Sequence, residues 1–107
     1  MNLIKGIKLL SEREGQGVAA TPGDLIEYQL EVLLNQGEQV SQGKYRGVIN
    51  RSEMITGVAK TLTGMKPGGY REVKISPNLA YGDKGVPGRI PENAVLHCKV
   101  SLLSIIN

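Results

Sequence analysis

With 107 residues, 40% hydrophobic and 21% charged, the chain has the size and balance of one globular domain, 1–107, able to bury a core without disulfides or a structural metal; this argues against disorder and fibrous repeats. Its formal charge of +3 comes from dispersed basic residues with no Lys/Arg run, which argues against a nucleic-acid surface, and one cysteine with one histidine, Cys98 and His97, is too few ligands for a metal site. Gly 14 without a G-X-Y period points to many turns and a β-rich fold, and because Phe and Trp are absent, Tyr28, Tyr45, Tyr70 and Tyr81 are the only aromatic surface for a core or a pocket.

Met1 to Leu10 mixes Lys5 and Lys8 into its apolar residues, so it lacks the uncharged core of a signal peptide, and no stretch approaches about 18 apolar residues. A cytoplasmic, monomeric protein without a membrane segment is the expectation. LIKGIKLL reads as a strand with Gly6 as a bulge, followed by the polar, glycine-rich connection SEREGQGVAATPGD. In DLIEYQLEVLL, Asp24 to Leu34, one face carries Ile26, Tyr28, Leu30, Val32 and Leu34 and the other Glu27, Gln29 and Glu31, the period-2 pattern of a half-buried strand. Asn35-Gln36-Gly37 makes a turn, Glu38-Gln39-Val40 returns as a short partner strand, and Ser41 to Gly47 reads as loop.

Asn50 with Glu53 fits a capping box, and Ile55, Val58, Leu62 and Met65 recur at helical spacing, which predicts one short helix near residues 51 to 63, stopped by Gly64 and Pro67. Tyr70 to Ile75 alternates again, and from Ala94 onward Leu96, Cys98, Val100 and Leu102 form one face of a long final strand. Between them PNLAYGDKGVPGRIPEN is too long and too rich in Gly and Pro for a casual connection in so small a domain; such loops are functional or disordered. The elements assemble as an α+β fold, an antiparallel sheet covered on one face by a single helix.

Little in the chain supports covalent or acid-base chemistry. His97 and Cys98 are neighbours in a strand and so face opposite ways, a poor dyad. GDKGVPG lacks the GK[ST] and the following helix of a phosphate-binding loop. Glu27 and Glu31 belong to a solvated strand face, and Asn50-Arg51-Ser52, though it fits a glycosylation acceptor, reads as helix-start chemistry. From the residues alone the reading stops at a binding domain.

The stretch ISPNLAYGDKGVPGRIPENAVLHCKVSLLSI, Ile75 to Ile105, carries Ile75-Ser76-Pro77, Ala80-Tyr81-Gly82, Gly85-Val86-Pro87-Gly88, Ile90-Pro91, Asn93-Ala94 and Val100-Ser101-Leu102-Leu103. Upstream stand Gly15-x-Gly17, Pro22-Gly23-Asp24, Gly37, Met54-Ile55-x-Gly57 and Gly64-Met65-x-x-Gly68, all in order. In these motifs the chain resembles the FKBP-type peptidyl-prolyl cis-trans isomerases over the whole domain except Ser41 to Val48.

The resemblance implies a twisted antiparallel sheet wrapped around one short helix, no cofactor and no metal, and proline-containing peptides or client proteins as partners. It implies that the backbone N–H of Ile55 and the hydroxyl of Tyr81 contact the peptide carbonyls, that Ile90 lines the loop side, that Met54 walls the pocket and that Tyr45 holds the place of a family aromatic. Core packing at the helix start accounts for Met54 and Ile55 equally well. The chain departs from the family where Val58 replaces a floor tryptophan, where Leu30, Val40 and Cys98 replace aromatics and where Ser41 replaces a pocket aspartate. Each lost aromatic removes on the order of 100 Å² of contact, so proline and macrolides such as rapamycin or tacrolimus should be held weakly, with Tyr28 partly refilling the space. Two readings follow: a prolyl isomerase and folding helper, or a non-catalytic FKBP-like interaction or chaperone module with a degenerate pocket.

Overall fold

The computed structural model describes residues 2–51 and 53–106. Met1 and Ser52, the third residue of the Asn50-Arg51-Ser52 triplet, lie outside the described residues. Six strands, β1 (Asn2–Ile4), β2 (Ile7–Arg13), β3 (Leu25–Leu34), β4 (Gln39–Val48), β5 (Tyr70–Ile75) and β6 (Leu96–Ile105), form one sheet in the order β1-β2-β5-β6-β3-β4, every pair antiparallel. One helix, α1 (Thr56–Leu62), covers a face of it, giving the α+β architecture read from the sequence.

The alternation along the strands decides which face is covered. Ile26, Tyr28, Leu30 and Val32 of β3, Leu96, Cys98, Val100 and Leu102 of β6, and Val73 and Ile75 of β5 all point inward and are buried, as are Val58, Ala59 and Leu62 of α1. Each such aliphatic side chain contributes about 1.5–3 kcal/mol when fully removed from water, so this single layer between helix and sheet is the dominant stabilising contact. The helix lies very close to β5: a Cβ on Gly57 would overlap Cγ2 of Ile75 and come within 3.1 Å of the Leu79 carbonyl oxygen. Only glycine fits there.

The far end of the helix is tied down by an arginine. Arg71 Nη1 donates to the Thr61 carbonyl at 2.8 Å while its Nε donates to Glu12 Oε2 at 2.8 Å, so one guanidinium links β2, β5 and the last turn of α1. A cation at a helix C-terminus also complements the helix dipole.

Three expectations from the sequence are corrected. Gly6 is not a bulge but part of a tight turn, with φ +93°, that folds β1 back on β2; only glycine enters that conformation cheaply, and the irregular register lies between Asn2 and Ile4. Residues 41–47 are not loop: β4 runs ten residues as an edge strand, paired with β3 from Leu25↔Val48 to Leu33↔Gln39. Its inward positions include Gly43 and Gly47, which have no apolar side chain, so the alternation that marks a strand is missing. Finally, Asn50 and Glu53 do not cap the helix. Asn50 sits in a turn at φ +76°, Met54 N–H donates to the Arg51 carbonyl, and α1 begins only after Ile55, with no side-chain cap. The intervening residues carry the chain from the sheet edge across to the helix.

Replacing Arg71 with Leu leaves the Thr61 carbonyl without its donor and removes the partner of the solvated Glu12 carboxylate, and the unfolding free energy in a urea titration should fall by about 2 kcal/mol. The same change at Arg46, whose pairing with Glu27 at 3.6 Å is solvent-exposed, should alter it by less than about 0.5 kcal/mol.

Candidate functional site

Between β3, β4 and the segment entering α1 the structure leaves a concavity of about 180 Å³. Tyr28, Leu30 and Val32 of β3 form one wall, Ser41 and Tyr45 of β4 a second, and Glu53, Met54 and Ile55 the rim, with Val58 of the first helical turn beneath and Tyr81 reaching over from the long loop. The space is well below the roughly 300 Å³ at which pockets for drug-sized ligands begin. It suits a group the size of a single residue.

Local sequence explains the shape. A Cβ on Gly43 would stand 3.2 Å from the Tyr45 hydroxyl, and one on Gly47 would stand 3.3 Å from Met54 Cε. The two inward glycines of the edge strand are therefore the beds on which Tyr45 and Met54 lie. The Tyr28 and Tyr45 rings meet at 5.7 Å with planes tilted by 35°, within the range of favourable aromatic pairs. Burial, then the neighbouring Tyr45 and Glu53, push the Tyr28 phenol above its ordinary pKa.

The long loop is ordered by its own bonds. A 3-10 turn, Pro77–Leu79, leads into it, Gly82 N–H donates to the Pro77 carbonyl at 2.8 Å, and Gly85 N–H donates to the Tyr81 carbonyl at 3.2 Å. Further on, Val86 and Ile90 pair as an isolated bridge, and Arg89 Nη2 donates to the Val40 carbonyl at 3.2 Å, fastening the loop to the edge strand. Tyr81 is thereby held over the concavity, 40% exposed.

Of the residues singled out from the sequence, the structure brings Leu30, Tyr45, Met54, Ile55, Val58 and Tyr81 together around this space. It does not bring Ile90, Val40 or Cys98 into the lining. Ile90 is buried and anchors the loop, Val40 packs half-buried against the core, and Cys98 faces fully inward on β6. Two lining residues escaped sequence reasoning: Val32, which the β3 alternation placed on the right face, and Glu53, which was read as a helix cap.

The remaining chemistry is inert. Burial pushes the Cys98 thiol up to about 12, and His97, on the opposite face of β6, contacts the Glu72 carboxylate at 2.5 Å. Among the described residues no group of three or more His, Cys, Asp or Glu side chains could hold a metal ion, and no helix is long and apolar enough to cross a membrane.

A small pocket lies beside the helix start under a loop tyrosine, and the profile of the FKBP-type peptidyl-prolyl cis-trans isomerases matches residues 16–103. The chain belongs to the FKBP family. FK506-binding protein 1A of Neurospora crassa is 32% identical over 108 residues, an alignment covering 95% of this chain and 90% of that protein. Peptidyl-prolyl cis-trans isomerase Mip of Coxiella burnetii is 34% identical over 106 residues, covering 96% of this chain and 46% of that protein. For peptidyl-prolyl cis-trans isomerase FKBP9 of Homo sapiens the identity is 37% over 90 residues, 79% of this chain and only 16% of that protein. This FKBP chain thus spans most of the fungal relative but less than half of the other two.

A thiol with so high a pKa, shut inside the sheet, should give no reaction with Ellman's reagent at about pH 8 in the folded protein and one full equivalent once guanidinium unfolds it.

Proposed function

We propose that this FKBP domain, acting as one unit over residues 1–107, is a peptidyl-prolyl cis-trans isomerase that takes single prolines of peptides and client proteins into the pocket under Tyr81. The observation that carries the reading is the pocket itself: Leu30, Val32, Met54, Ile55, Val58 and three tyrosines surround a residue-sized space, joined at its edge by Ser41 and Glu53, with no histidine or cysteine in the lining and no metal cluster among the described residues. Isomerisation needs none. Rotation about an X-Pro bond costs about 18–20 kcal/mol because it breaks amide resonance. A twisted amide has lost the charge separation of the planar one, so an apolar, water-excluding pocket disfavours both planar isomers relative to the transition state, and only such differential binding accelerates.

Within that frame each residue has a role. Val58 and Leu30 supply the floor, and Tyr45, in the place of a family aromatic, joins Tyr28 in supplying the aromatic wall. The N–H of Ile55 and the hydroxyl of Tyr81 donate to carbonyls flanking the proline, fixing the peptide while the bond turns. We read the protein as a monomer working in the cytoplasm on exposed proline-containing segments. Val58 and Ser41, standing where the family has a tryptophan and an aspartate, favour a second reading, a non-catalytic proline-peptide module, and one assay separates the two.

In a protease-coupled assay on short X-Pro peptides the wild type should accelerate isomerisation, and Ile55→Asp should lower kcat/KM by about 100-fold or more, since it puts a carboxylate in place of an apolar side chain against the bound proline. Aspartate is a favourable residue at the first position before a helix, so a folded circular dichroism spectrum should accompany that loss. Tyr81→Phe removes one hydrogen bond and should cost about three- to tenfold. A wild type that is folded yet accelerates no peptide would establish the binding-module reading instead. Calorimetry with rapamycin should give a Kd weaker than about 1 μM, and nanomolar affinity would contradict the account of the pocket floor.

A further inference from the structure

Apart from tyrosines, the one ionisable side chain among the described residues lining the pocket is acidic, and it does not come from the strand position where the family carries its aspartate. Ser41 stands there on β4, while Glu53, from the turn before α1, contributes a carboxylate to the opposite rim. No Lys, Arg or His is among the described residues lining the space. Arg51, two residues before Glu53 in the same turn, is exposed and does not line the space, and other cations near the site are turned away or engaged. Lys44 and Arg46 alternate with Tyr45 and so project from the other face of β4, where Arg46 pairs with Glu27 at 3.6 Å, and Arg89 donates to the Val40 carbonyl. Among the described residues Glu53 has no ion-pair partner.

Glu53 is exposed, so its carboxylate meets a bound peptide at the solvated edge of the cavity walled by Tyr28 and Tyr45, where a charge contributes modestly and is screened by salt. Burial first, then Tyr45 and Glu53, raise the pKa of the Tyr28 phenol, so Glu53 is near enough to act on the pocket's tyrosine wall.

We propose that Glu53 is a specificity-determining residue that selects substrates carrying a lysine or arginine directly beside the proline. This rests on the isomerase reading of the same pocket. Glu53 stands two residues before Ile55, whose N–H receives a peptide carbonyl in that reading, so a side chain next to the bound proline passes within reach of the carboxylate. A cation there gains an attractive partner at the rim, and an acidic neighbour meets a like charge. The effect acts through substrate binding and encounter, so it appears in kcat/KM and in affinity, and it falls with ionic strength.

The test compares peptides that differ only in the residue flanking proline, Lys against Gln against Glu, on either side, with kcat/KM from the protease-coupled assay and affinity from NMR titration of the same peptides. The wild type should favour Lys over Glu by about five- to tenfold at low salt on at least one side. The ratio should shrink toward one at about 1 M salt, where the Debye length drops to about 3 Å. Glu53→Gln should abolish the ratio and Glu53→Lys should invert it. Equal kcat/KM for all three residues in the wild type, or a ratio that survives Glu53→Gln, would overturn the proposal while leaving the isomerase reading standing. If no peptide is accelerated, the isomerase reading alone fails, and the order of NMR affinities still decides the selection. Absence of both acceleration and binding would overturn both.

Discussion

The molecule depends on how closely α1 can sit on the sheet. Gly57 lies against Ile75 with no room for a side chain, and this contact lets Val58, Ala59 and Leu62 reach the inward residues of β5 and β6. Close-packed interiors transmit small displacements, so the seat of the helix fixes more than the core. The four residues before and within its first turn that line the pocket rim and floor, Glu53, Met54, Ile55 and Val58, take their positions from it. Arg71 holds the other end by its bond to the Thr61 carbonyl.

β3 serves core and site with one alternation. Its inward face runs from Ile26, wholly in the core, to Tyr28, Leu30 and Val32, which line the pocket. Pairing with β6 on one side and β4 on the other makes that face rigid. Rigidity is what a desolvating catalyst requires, since a wall that yields to the planar substrate loses its preference for the twisted one. β4 contributes by omission: two glycines on its inward face leave the hollow that Tyr45 and Met54 partly fill.

Much of this was legible in the sequence because alternation is a direct image of burial. The inward face of β6, Leu96, Cys98, Val100 and Leu102, is wholly buried as read, and the turn at Asn35 to Gly37 appears with Gly37 at φ +92°. β4 was not legible, because an edge strand needs only one paired side and its glycines erase the periodic signal. The capping box misled for another reason: Asn50 and Glu53 satisfy a local pattern, but the chain must first cross from the sheet edge to the helix, and a tertiary demand outranks a local preference. That same crossing carries Glu53 to the pocket, so the missed helix boundary and the missed lining residue have one cause. At Ile90 and Cys98, family position alone pointed to the pocket, whereas one anchors the loop and the other fills the sheet.

The central claim is that the pocket works by desolvation and shape, with no proton transferred. The only histidine lies on the opposite face of the sheet from the pocket, and the Cys98 thiol is buried. The most direct measurement is kcat/KM for an uncharged X-Pro peptide between about pH 5.5 and 8.5, in water and in deuterium oxide. The account predicts a flat profile and a solvent isotope effect of about one, as for rotation without proton transfer. A bell-shaped profile, or an isotope effect of about two or more, would place a general acid or base in the rate-determining step and contradict it.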